Sequence, residues 1–262
     1  MSAIADSAGF QPIRAITFDL DDTLWDIWPI ILRAEERLHA WLSEHYPQIP
    51  ARYTALALRQ LCAEIARQQP EIAHDRTLLR KEALRLAAQQ VGCREFCVES
   101  AFQIFFQARN EVVFFAEVLP VLTRLAQRYT LGALTNGNAD IRLVGLNHLF
   151  AFAINAIDVG AAKPEPAIFA AACRYLGLPP QQIVHVGDDP EHDVLGSARA
   201  GLRSIWINRN GRDWSGAHPP EAEISNLTDL EALLEQWHKP SAAQTRPDHG
   251  TLLTAAQLME FN

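Results

Sequence analysis

Apolar residues in the first half of the chain follow a pattern that predicts one short strand and then a block of helices. Residues 14–19 form a β-branched, apolar run, which is typical of a buried strand. Between residues 29 and 109 apolar residues recur at helical spacing, and no strand-like alternation interrupts them. The pattern predicts four helices there, over about 31–41, 56–65, 77–90 and 96–108.

The second half of the chain alternates between apolar strands and short helices. The predicted strands span residues 129–135, 153–159, 182–187, 204–208 and 223–227. The predicted helices between them span residues 121–128, 139–148, 163–175 and 193–200. Because strands this apolar must be covered on both faces, the pattern indicates an α/β fold built on a parallel sheet.

These two patterns divide the chain into a core, an insertion and a tail. We expect the core to comprise residues 13–25 and 115–238, since the first strand and the alternating region belong to one sheet. Residues 26–114 then form an all-helical insertion. Residues 239–262 combine Pro, Ser, Gln and His with a short apolar stretch, and we expect them to form a mobile tail.

Composition narrows the class of protein and its partners. The chain has 262 residues and a formal net charge of -8, which disfavours a nucleic acid as partner. It has no apolar run long enough to span a bilayer, and we expect no signal peptide and no membrane partner. The four cysteines form no CxxC pair, which favours free thiols in a reducing cytoplasm. A monomer and a homodimer are both compatible with the sequence.

Polar residues follow three of the predicted strands at the point where each strand ends. Since the carboxyl ends of parallel strands share one edge of the sheet, these side chains are expected to converge there. A lysine at the start of a predicted helix adds a cation. The residues of this edge are Asp19, Asp21, Thr135, Asn136, Lys163, Asp188 and Asp189.

Such a cluster has the chemistry that phosphoryl transfer needs. Carboxylates that lie close together repel one another and need a cation, and a set of oxygen ligands suits Mg2+. A hydroxyl group, backbone amides and a lysine can hold the oxygens of a phosphate. One carboxylate can then attack phosphorus, while a second protonates the leaving oxygen and later activates water.

In their order along the chain these residues resemble the motifs of the haloacid dehalogenase superfamily, in its phosphatase branch. The motifs are Phe-Asp-Leu-Asp-Asp-Thr at 18–23, Leu-Thr-Asn-Gly at 134–137, Lys163, and Gly-Asp at 187–188 with Asp193. The resemblance covers residues 14 to about 238. It implies a Rossmann-like parallel sheet core, a helical cap of the C1 type formed by the insertion, and a small-molecule phosphomonoester as substrate.

The resemblance also implies a role for each residue that acts on the phosphate. Asp19 is the expected nucleophile, and Asp21 is the expected general acid and base. Lys163 is expected to balance the charge of Asp19 and of the phosphate. Thr135 and the backbone amide of Asn136 are expected to hold the phosphate oxygens together with Lys163.

The implied cofactor is Mg2+, held at the same edge of the sheet. Its expected ligands are the carboxylates of Asp19 and Asp188 and the backbone carbonyl of Asp21. Asp193 is expected in the next layer, where it supports the metal's water or Lys163. Asp189 is either a further ligand or a structural residue.

A closer resemblance is to members of the family that act on flavin mononucleotide and its ribitylaminouracil-phosphate precursor. It rests on residues 19–32, on residues 70–75 and on residues 135–138. Because the core motifs recognise only the phosphate, selectivity is expected from the cap and from the loop that joins it to the core. The candidate specificity residues are Trp25, Trp28, His74 and Arg76.

Each of these candidates has a simpler structural interpretation. Trp25 and Trp28 either pack at the hinge of the cap or offer flat faces to a ring of the substrate. Residues 74–76 either begin a helix that Asp75 caps or contact the substrate. His185, inside a predicted apolar strand, is expected to be a buried histidine with satisfied hydrogen bonds. Asp22 is expected to bond nearby backbone amides.

Other functions compete with a flavin-type phosphatase. A sugar-phosphate or phosphoglycolate phosphatase would share the core motifs and differ in the cap. A 2-haloacid dehalogenase would keep the nucleophile but lack the second acid of the first motif, whereas Asp21 is present here. A non-enzymatic phosphoacceptor module would need neither Asp21 as an acid nor a large helical cap.

Overall fold

The computed structural model describes residues 12–238 and has a six-stranded parallel sheet at its centre. The strands are β1 (Ala15–Phe18), β2 (Thr130–Thr135), β3 (Phe152–Asn155), β4 (Ile183–Gly187), β5 (Arg203–Ile207) and β6 (Ala222–Ile224). Their order across the sheet is β3-β2-β1-β4-β5-β6, and each neighbouring pair is parallel. The predicted α/β fold with a parallel sheet is therefore confirmed. The expected tail, 239–262, lies outside the described residues.

Ten α-helices accompany the sheet in the described part of the chain. They are α1 (Ile27–His45), α2 (Gln48–Arg52), α3 (Ala55–Gln68), α4 (Arg76–Gln90), α5 (Val98–Arg109), α6 (Val118–Leu125), α7 (Ala156–Val159), α8 (Pro166–Leu176), α9 (Gly196–Arg199) and α10 (Thr228–His238). A π-helical segment, Pro190–Leu195, precedes α9. Within residues 12–238, no helix is both long enough and apolar enough to cross a bilayer.

The sheet is buried on both faces, as its apolar strands require. Every residue of β1 is buried, and successive side chains point to opposite faces. Ile16 and Phe18 pack into one apolar cluster, whereas Ala15 packs into another with Phe169 of α8. Because both faces of β1 are covered, the strand lies in the interior, and Asp19 directly follows its carboxyl end at a buried edge of the sheet.

Helices α1 to α5 form a hydrophobic core of their own, separate from the two apolar clusters of the sheet. In it, Leu38 and Leu42 of α1 pack with Phe102 and Phe105 of α5. These helices lie between Ile27 and Arg109, inside the span 26–114 that the sequence assigns to a cap. The exact boundaries of cap and core remain a prediction.

Two predicted elements are wrong in part. Residues 139–148 form turns rather than a helix, because the Asp140 side chain accepts the N–H of Arg142 and the chain turns at Gly145, where φ is +83°. The strand expected over 153–159 ends at Asn155. From there the chain enters α7, where the Asp158 carboxylate accepts the N–H of Asn155.

Candidate active site

The carboxyl ends of three neighbouring strands carry the predicted polar residues. In the sheet β1 lies between β2 and β4, so the residues that follow or end these strands meet at one edge. A cleft of about 340 Å³ opens there, which we call the catalytic cleft. It is bordered by all seven residues that the sequence assigns to this edge and also by Asp193; the seven are Asp19, Asp21, Thr135, Asn136, Lys163, Asp188 and Asp189.

The Lys163 side chain is buried and donates three hydrogen bonds. Its Nζ lies 2.5 Å from Oδ1 of Asp19, 2.6 Å from Oδ1 of Asp193 and 2.8 Å from the carbonyl oxygen of Leu134. Burial alone would lower the pKa of Lys163, but the attraction of Asp19 and Asp193 outweighs it and raises the pKa. The lysine therefore stays a cation beside the expected nucleophile.

Asn136 holds the backbone that presents this lysine. Its Oδ1 accepts the N–H of Lys163 at 2.7 Å, and its Nδ2 donates to the carbonyl oxygen of Lys163 at 2.9 Å. In the same loop the hydroxyl of Thr135 accepts the N–H of Gly137 at 2.9 Å. The Asn136 side chain is therefore engaged with Lys163. Its backbone amide remains the group expected to hold a phosphate.

Asp193 is held on both of its oxygens by groups of the protein. Oδ1 pairs with Lys163 and lies 3.1 Å from Nε2 of His185, and Oδ2 accepts the N–H of Asp189 at 3.0 Å. Although burial opposes ionisation, Lys163 and His185 hold the pKa of Asp193 well below its ordinary value. Gly187 permits this approach, since a Cβ there would meet Cγ of Asp193 at 2.2 Å.

His185 fills the role expected of a core histidine and also supports the site. Its Nδ1 lies 2.9 Å from the hydroxyl of Thr17, so both ring nitrogens have partners. Burial lowers its pKa, which favours the neutral ring. A buried chain of hydrogen bonds thus runs from Thr17 through His185 and Asp193 to Lys163.

The acidic residues fit a hard cation such as Mg2+. Asp19, Asp188 and Asp193 each offer an oxygen, and these oxygens lie within 4.8 Å of one another. Burial, together with repulsion from neighbouring carboxylates, raises the pKa of Asp19 despite Lys163 and raises that of Asp188 to about 7. Such a site gains stability from a cation, and oxygen donors suit Mg2+. Because Asp193 is already occupied by protein donors, Asp19 and Asp188 are the carboxylates that fit as ligands.

The neighbouring acids Asp22 and Asp189 serve the backbone. Asp22 accepts the N–H of Ile27 at 3.0 Å and adopts a φ of +61°. Asp189 caps the π-helical segment, where its Oδ1 accepts the N–H groups of Glu191 and His192 at 2.9 and 2.8 Å. These bonds support a structural role for both residues.

Asp21 is held by two donors, one of which the sequence analysis missed. Nε1 of Trp25 donates to Oδ1 at 2.8 Å, and Nη2 of Arg109 donates to Oδ1 at 2.8 Å and to Oδ2 at 2.6 Å. Arg109 is only 1% exposed. Its spacing could have identified it, because it follows Phe102 and Phe105 by seven and four positions on the buried face of α5.

Trp25 does not offer a face to a ligand, contrary to one of the two interpretations above. Its side chain is fully buried and packs edge-on against Phe114, with the ring centroids 5.7 Å apart. Trp28 is 56% exposed and borders another cleft, beside Asp26 and Asp188, with the Arg59 guanidinium 5.3 Å from its ring centroid. The two tryptophans therefore do not form one stacking surface.

The turn that contains His74 and Arg76 faces the core. Both residues border a cleft of about 500 Å³ together with residues 137–142, and Nδ2 of Asn138 donates to the hydroxyl of Thr77 at 3.2 Å. Asp75 accepts the N–H of Leu78 at 2.8 Å and so caps α4, as its structural interpretation requires. Arg76 also borders the catalytic cleft.

A further opening of about 300 Å³, which we call the cap cleft, adjoins Asp21. Buried Glu35 holds two arginines at its wall, with Nε of Arg59 at 3.0 Å and Nη1 of Arg80 at 3.3 Å from Oε1. The Arg80 guanidinium also lies 4.0 Å from the ring centroid of Phe105. Glu35 was missed by the sequence analysis, although it precedes Leu38 by three positions on the buried face of α1.

Comparison with known proteins agrees with this geometry. Residues 13–201 match the model of the haloacid dehalogenase-like hydrolase family. The chain is 33% identical over 230 residues to 5-amino-6-(5-phospho-D-ribitylamino)uracil phosphatase YigB of Escherichia coli (strain K12), which covers 85% of this chain and 96% of that protein. It is 27% identical over 243 residues to a phosphoserine phosphatase of Thermus thermophilus, over 83% of this chain and 98% of that protein.

A solved structure gives the same fold. The 2-haloacid dehalogenase from Pseudomonas syringae pv. Tomato DC3000 aligns with a TM-score of 0.80 and 39% identity, over 86% of this chain and 99% of that one. The family match spans most of the described residues and both sides of the catalytic cleft. The chain therefore belongs to the haloacid dehalogenase-like hydrolase family, as a hydrolase of the phosphatase type.

Proposed function

We propose that this protein is a Mg2+-dependent phosphomonoester hydrolase that works through an aspartyl-phosphate on Asp19. The observation that carries the proposal is the pairing of buried Lys163 with Asp19 at 2.5 Å, beside a second acid, Asp21, in the same cleft. A carboxylate next to a fixed cation can accept an anionic phosphate, which an isolated acid would repel.

The proposed reaction uses two carboxylates in turn. An oxygen of Asp19 attacks phosphorus while the hydroxyl of Thr135, the amide of Asn136 and Lys163 hold the phosphate oxygens. The ester bond breaks, and Asp21 gives its proton to the leaving oxygen. Asp21 then takes a proton from water, which attacks phosphorus and releases Asp19 and inorganic phosphate.

The acidic residues of the cleft would hold the metal in this scheme. Asp19, Asp188 and the backbone carbonyl of Asp21 are the proposed ligands. When bound there, Mg2+ offsets the charge of the carboxylates and of the phosphate. The proposed compartment is the cytoplasm, where thiols stay reduced, and all four cysteines of the chain are unpaired.

The proposed substrate is a ribityl phosphate that carries a flat heterocycle, namely 5-amino-6-(5-phosphoribitylamino)uracil or flavin mononucleotide. The Escherichia coli relative named above supports this choice. The buried Trp25 removes one source of stacking, but Arg59, Arg76 and Arg80 border the cap cleft next to Asp21. Arginine can stack on a ring with its planar face and can donate to hydroxyl and carbonyl oxygens.

A substrate panel tests this proposal. Catalytic efficiency, kcat/KM, is measured for the ribityl phosphates, nucleotides, sugar phosphates, phosphoserine and phosphoglycolate. We expect the ribityl phosphates to lead. A small sugar phosphate that exceeds them by about tenfold, or about 1.4 kcal/mol of transition-state preference, would contradict the substrate proposal.

The dehalogenase named among the solved structures makes a second activity worth testing in the same panel. In a haloacid dehalogenase the nucleophile attacks carbon and the halide leaves without a proton, so that step needs no general acid. Here Asp21 is held by Trp25 and Arg109, which favours phosphate chemistry. Release of chloride from 2-chloropropionate without phosphatase turnover would reverse this assignment, and phosphorylation without turnover would indicate a phosphoacceptor module.

A further inference from the structure

We propose that Arg109 is a positioning residue that fixes the carboxylate of Asp21 for proton transfer and makes this arrangement depend on the docked cap. The proposal rests on the proposed function, because it concerns the acid and base of that reaction. It concerns a residue of the cap's last helix, outside the motifs that define the reaction in the sequence.

The contact itself restricts Asp21 strongly. Nη2 of Arg109 lies 2.8 and 2.6 Å from the two carboxylate oxygens, and Nε1 of Trp25 lies 2.8 Å from Oδ1. Charge-assisted bonds of this length are the strongest that a carboxylate makes with protein donors. Gly137 also lies close to this contact, since a Cβ there would meet Oδ2 of Asp21 at 2.6 Å and Nη2 of Arg109 at 3.1 Å. One rotamer of Asp21 is therefore favoured.

The guanidinium also joins segments that are distant in sequence. Arg109 is the last residue of α5, whereas Asp21 follows β1, 88 positions earlier. Nε of Arg109 donates to Oδ1 of Asn138 at 3.2 Å, and Asn138 in turn donates to Thr77 of α4. The contact of Arg109 with Asp21 thus forms only while helices α4 and α5 lie against the loop that follows β2.

Stability alone does not explain this placement. Arg109 is 1% exposed, and its Nη1 is buried without a hydrogen-bond partner among the described residues. A buried, unpaired donor costs stability, and an apolar side chain of similar volume would avoid that cost. A buried polar group without a partner is expected mainly at functional sites, where the function requires that side chain.

Removal of the guanidinium should free Asp21 without removing it. The Asp21 side chain is 23% exposed, so its carboxylate can turn toward water when only Trp25 restrains it. Proton transfer then becomes less efficient, and the loss depends on the leaving group. Alkyl phosphates need the proton, because an alkoxide is a poor leaving group, whereas nitrophenolate leaves readily without it.

The test compares Arg109→Gln and Arg109→Lys with the wild-type protein on glycerol 2-phosphate, as the alkyl ester, and 4-nitrophenyl phosphate. We expect Arg109→Gln to lower kcat for the alkyl ester by about tenfold or more and to change kcat for the nitrophenyl ester much less. Arg109→Lys, which keeps the charge, should restore part of the loss. In an Asp21→Asn background, Arg109→Gln should have little further effect, because both changes remove one step.

Matched controls separate positioning from folding. Arg124→Gln removes an arginine from an exposed pair with Glu231 and should leave both esters unaffected. Circular dichroism and thermal unfolding establish which variants fold. If Arg109→Gln does not fold, the same comparison of esters is made with Arg109→Lys, whose single ammonium cannot match both carboxylate oxygens in one plane.

The results that would overturn the positioning role of Arg109 differ from the result that would overturn the proposed function. Equal losses for both esters, full additivity with Asp21→Asn, or a gain in kcat for the alkyl ester would each overturn the positioning role while the proposed function stands. A wild-type protein without turnover on any phosphomonoester would overturn the proposed function, and this inference with it.

Discussion

The Nζ atom of Lys163 and the Oδ1 atom of Asp19 lie 2.5 Å apart, and both side chains are buried. Lys163 comes from the loop before α8, whereas Asp19 follows the central strand, so the contact spans 144 positions of the chain. The same Nζ contacts Asp193. Three ionisable side chains are therefore packed into one buried corner of the cleft, and the pKa of each depends on the others.

Replacement of Lys163 should cost both activity and stability. Lys163→Met leaves Asp19 and Asp193 buried without their cation, and the loss of one partner of a buried pair costs roughly 3–5 kcal/mol. Urea unfolding measures the change in free energy. The control is Arg124→Met, which breaks an exposed pair and should cost about 0–1 kcal/mol. Equal costs in the two variants would contradict the account of the buried cluster.

Asp21→Asn should slow turnover while the protein stays folded. The amide cannot serve as acid or base, and general acid–base catalysis contributes roughly 10²–10⁴-fold. The loss should be greatest for alkyl phosphates and smaller for nitrophenyl phosphate. Steady-state kinetics with the two esters checks this expectation. An equal loss for both would indicate that Asp21 acts only through its position beside the metal site.

The pH dependence of stability should reveal the metal site. The pKa of Asp188 is raised from its ordinary value of 3.8 to about 7, so between these values the folded protein binds more protons than the unfolded chain. The contribution of Asp188 to stability is therefore full below about pH 4 and is lost as the pH rises through 7.

Mg2+ should reverse that loss, because it favours the ionised carboxylates. We expect Tm in excess chelator to fall between about pH 4 and pH 7, and added Mg2+ to raise Tm most at and above the upper end of this range. Asp188→Asn should flatten the profile and reduce the response to Mg2+. A Tm that Mg2+ leaves unchanged at pH 8 would count against the proposed site.

Arg76 should contribute to the binding of the part of the substrate beyond the phosphate. It borders the catalytic cleft, the cap cleft and the larger cleft that contains His74. Arg76→Ala should raise KM for the ribityl phosphates severalfold, by about 1 kcal/mol, and affect 4-nitrophenyl phosphate less. Arg142→Ala is the matched control, since Arg142 is exposed and borders only the larger cleft. Equal effects of the two variants would argue against this role.

Local patterns in the sequence were sufficient for the sheet and its catalytic edge. Strand ends at Asp19, Thr135 and Asp188 could be located because buried parallel strands read as continuous apolar runs. The prediction of a helix over 139–148 was wrong, because the Asp140 side chain and Gly145 hold that segment in turns. The spacing of apolar residues does not reveal that a side chain competes with the helix for a backbone N–H group.

Long-range pairings account for what the sequence analysis missed. Arg109 lies 88 positions from Asp21, and the sequence of its own helix does not indicate which residue it pairs with. The sequence could not decide whether Trp25 packs in the interior or contacts a ligand. Its burial depends on Phe114, which lies beyond the last helix of the helical block. Both residues could be noticed in the sequence, but their partners required the fold.

In the proposed reaction Asp19 carries the phosphoryl group. Asp19→Asn keeps the shape of the side chain and removes the attacking charge, so turnover should fall to background in a folded protein. The complementary variant is Asp21→Asn with 4-nitrophenyl phosphate. There the first step needs no acid, whereas release of the phosphoryl group needs the base, so the intermediate should accumulate.

Acid quench of that reaction, followed by intact-mass and peptide mass spectrometry, measures whether Asp19 becomes phosphorylated. We expect one phosphoryl group per chain, located on the peptide that contains Asp19. It should be lost on incubation with neutral hydroxylamine and be absent from the Asp19→Asn, Asp21→Asn double variant. A phosphoryl group on another residue would contradict this expectation. So would clear turnover by a well-folded Asp19→Asn protein.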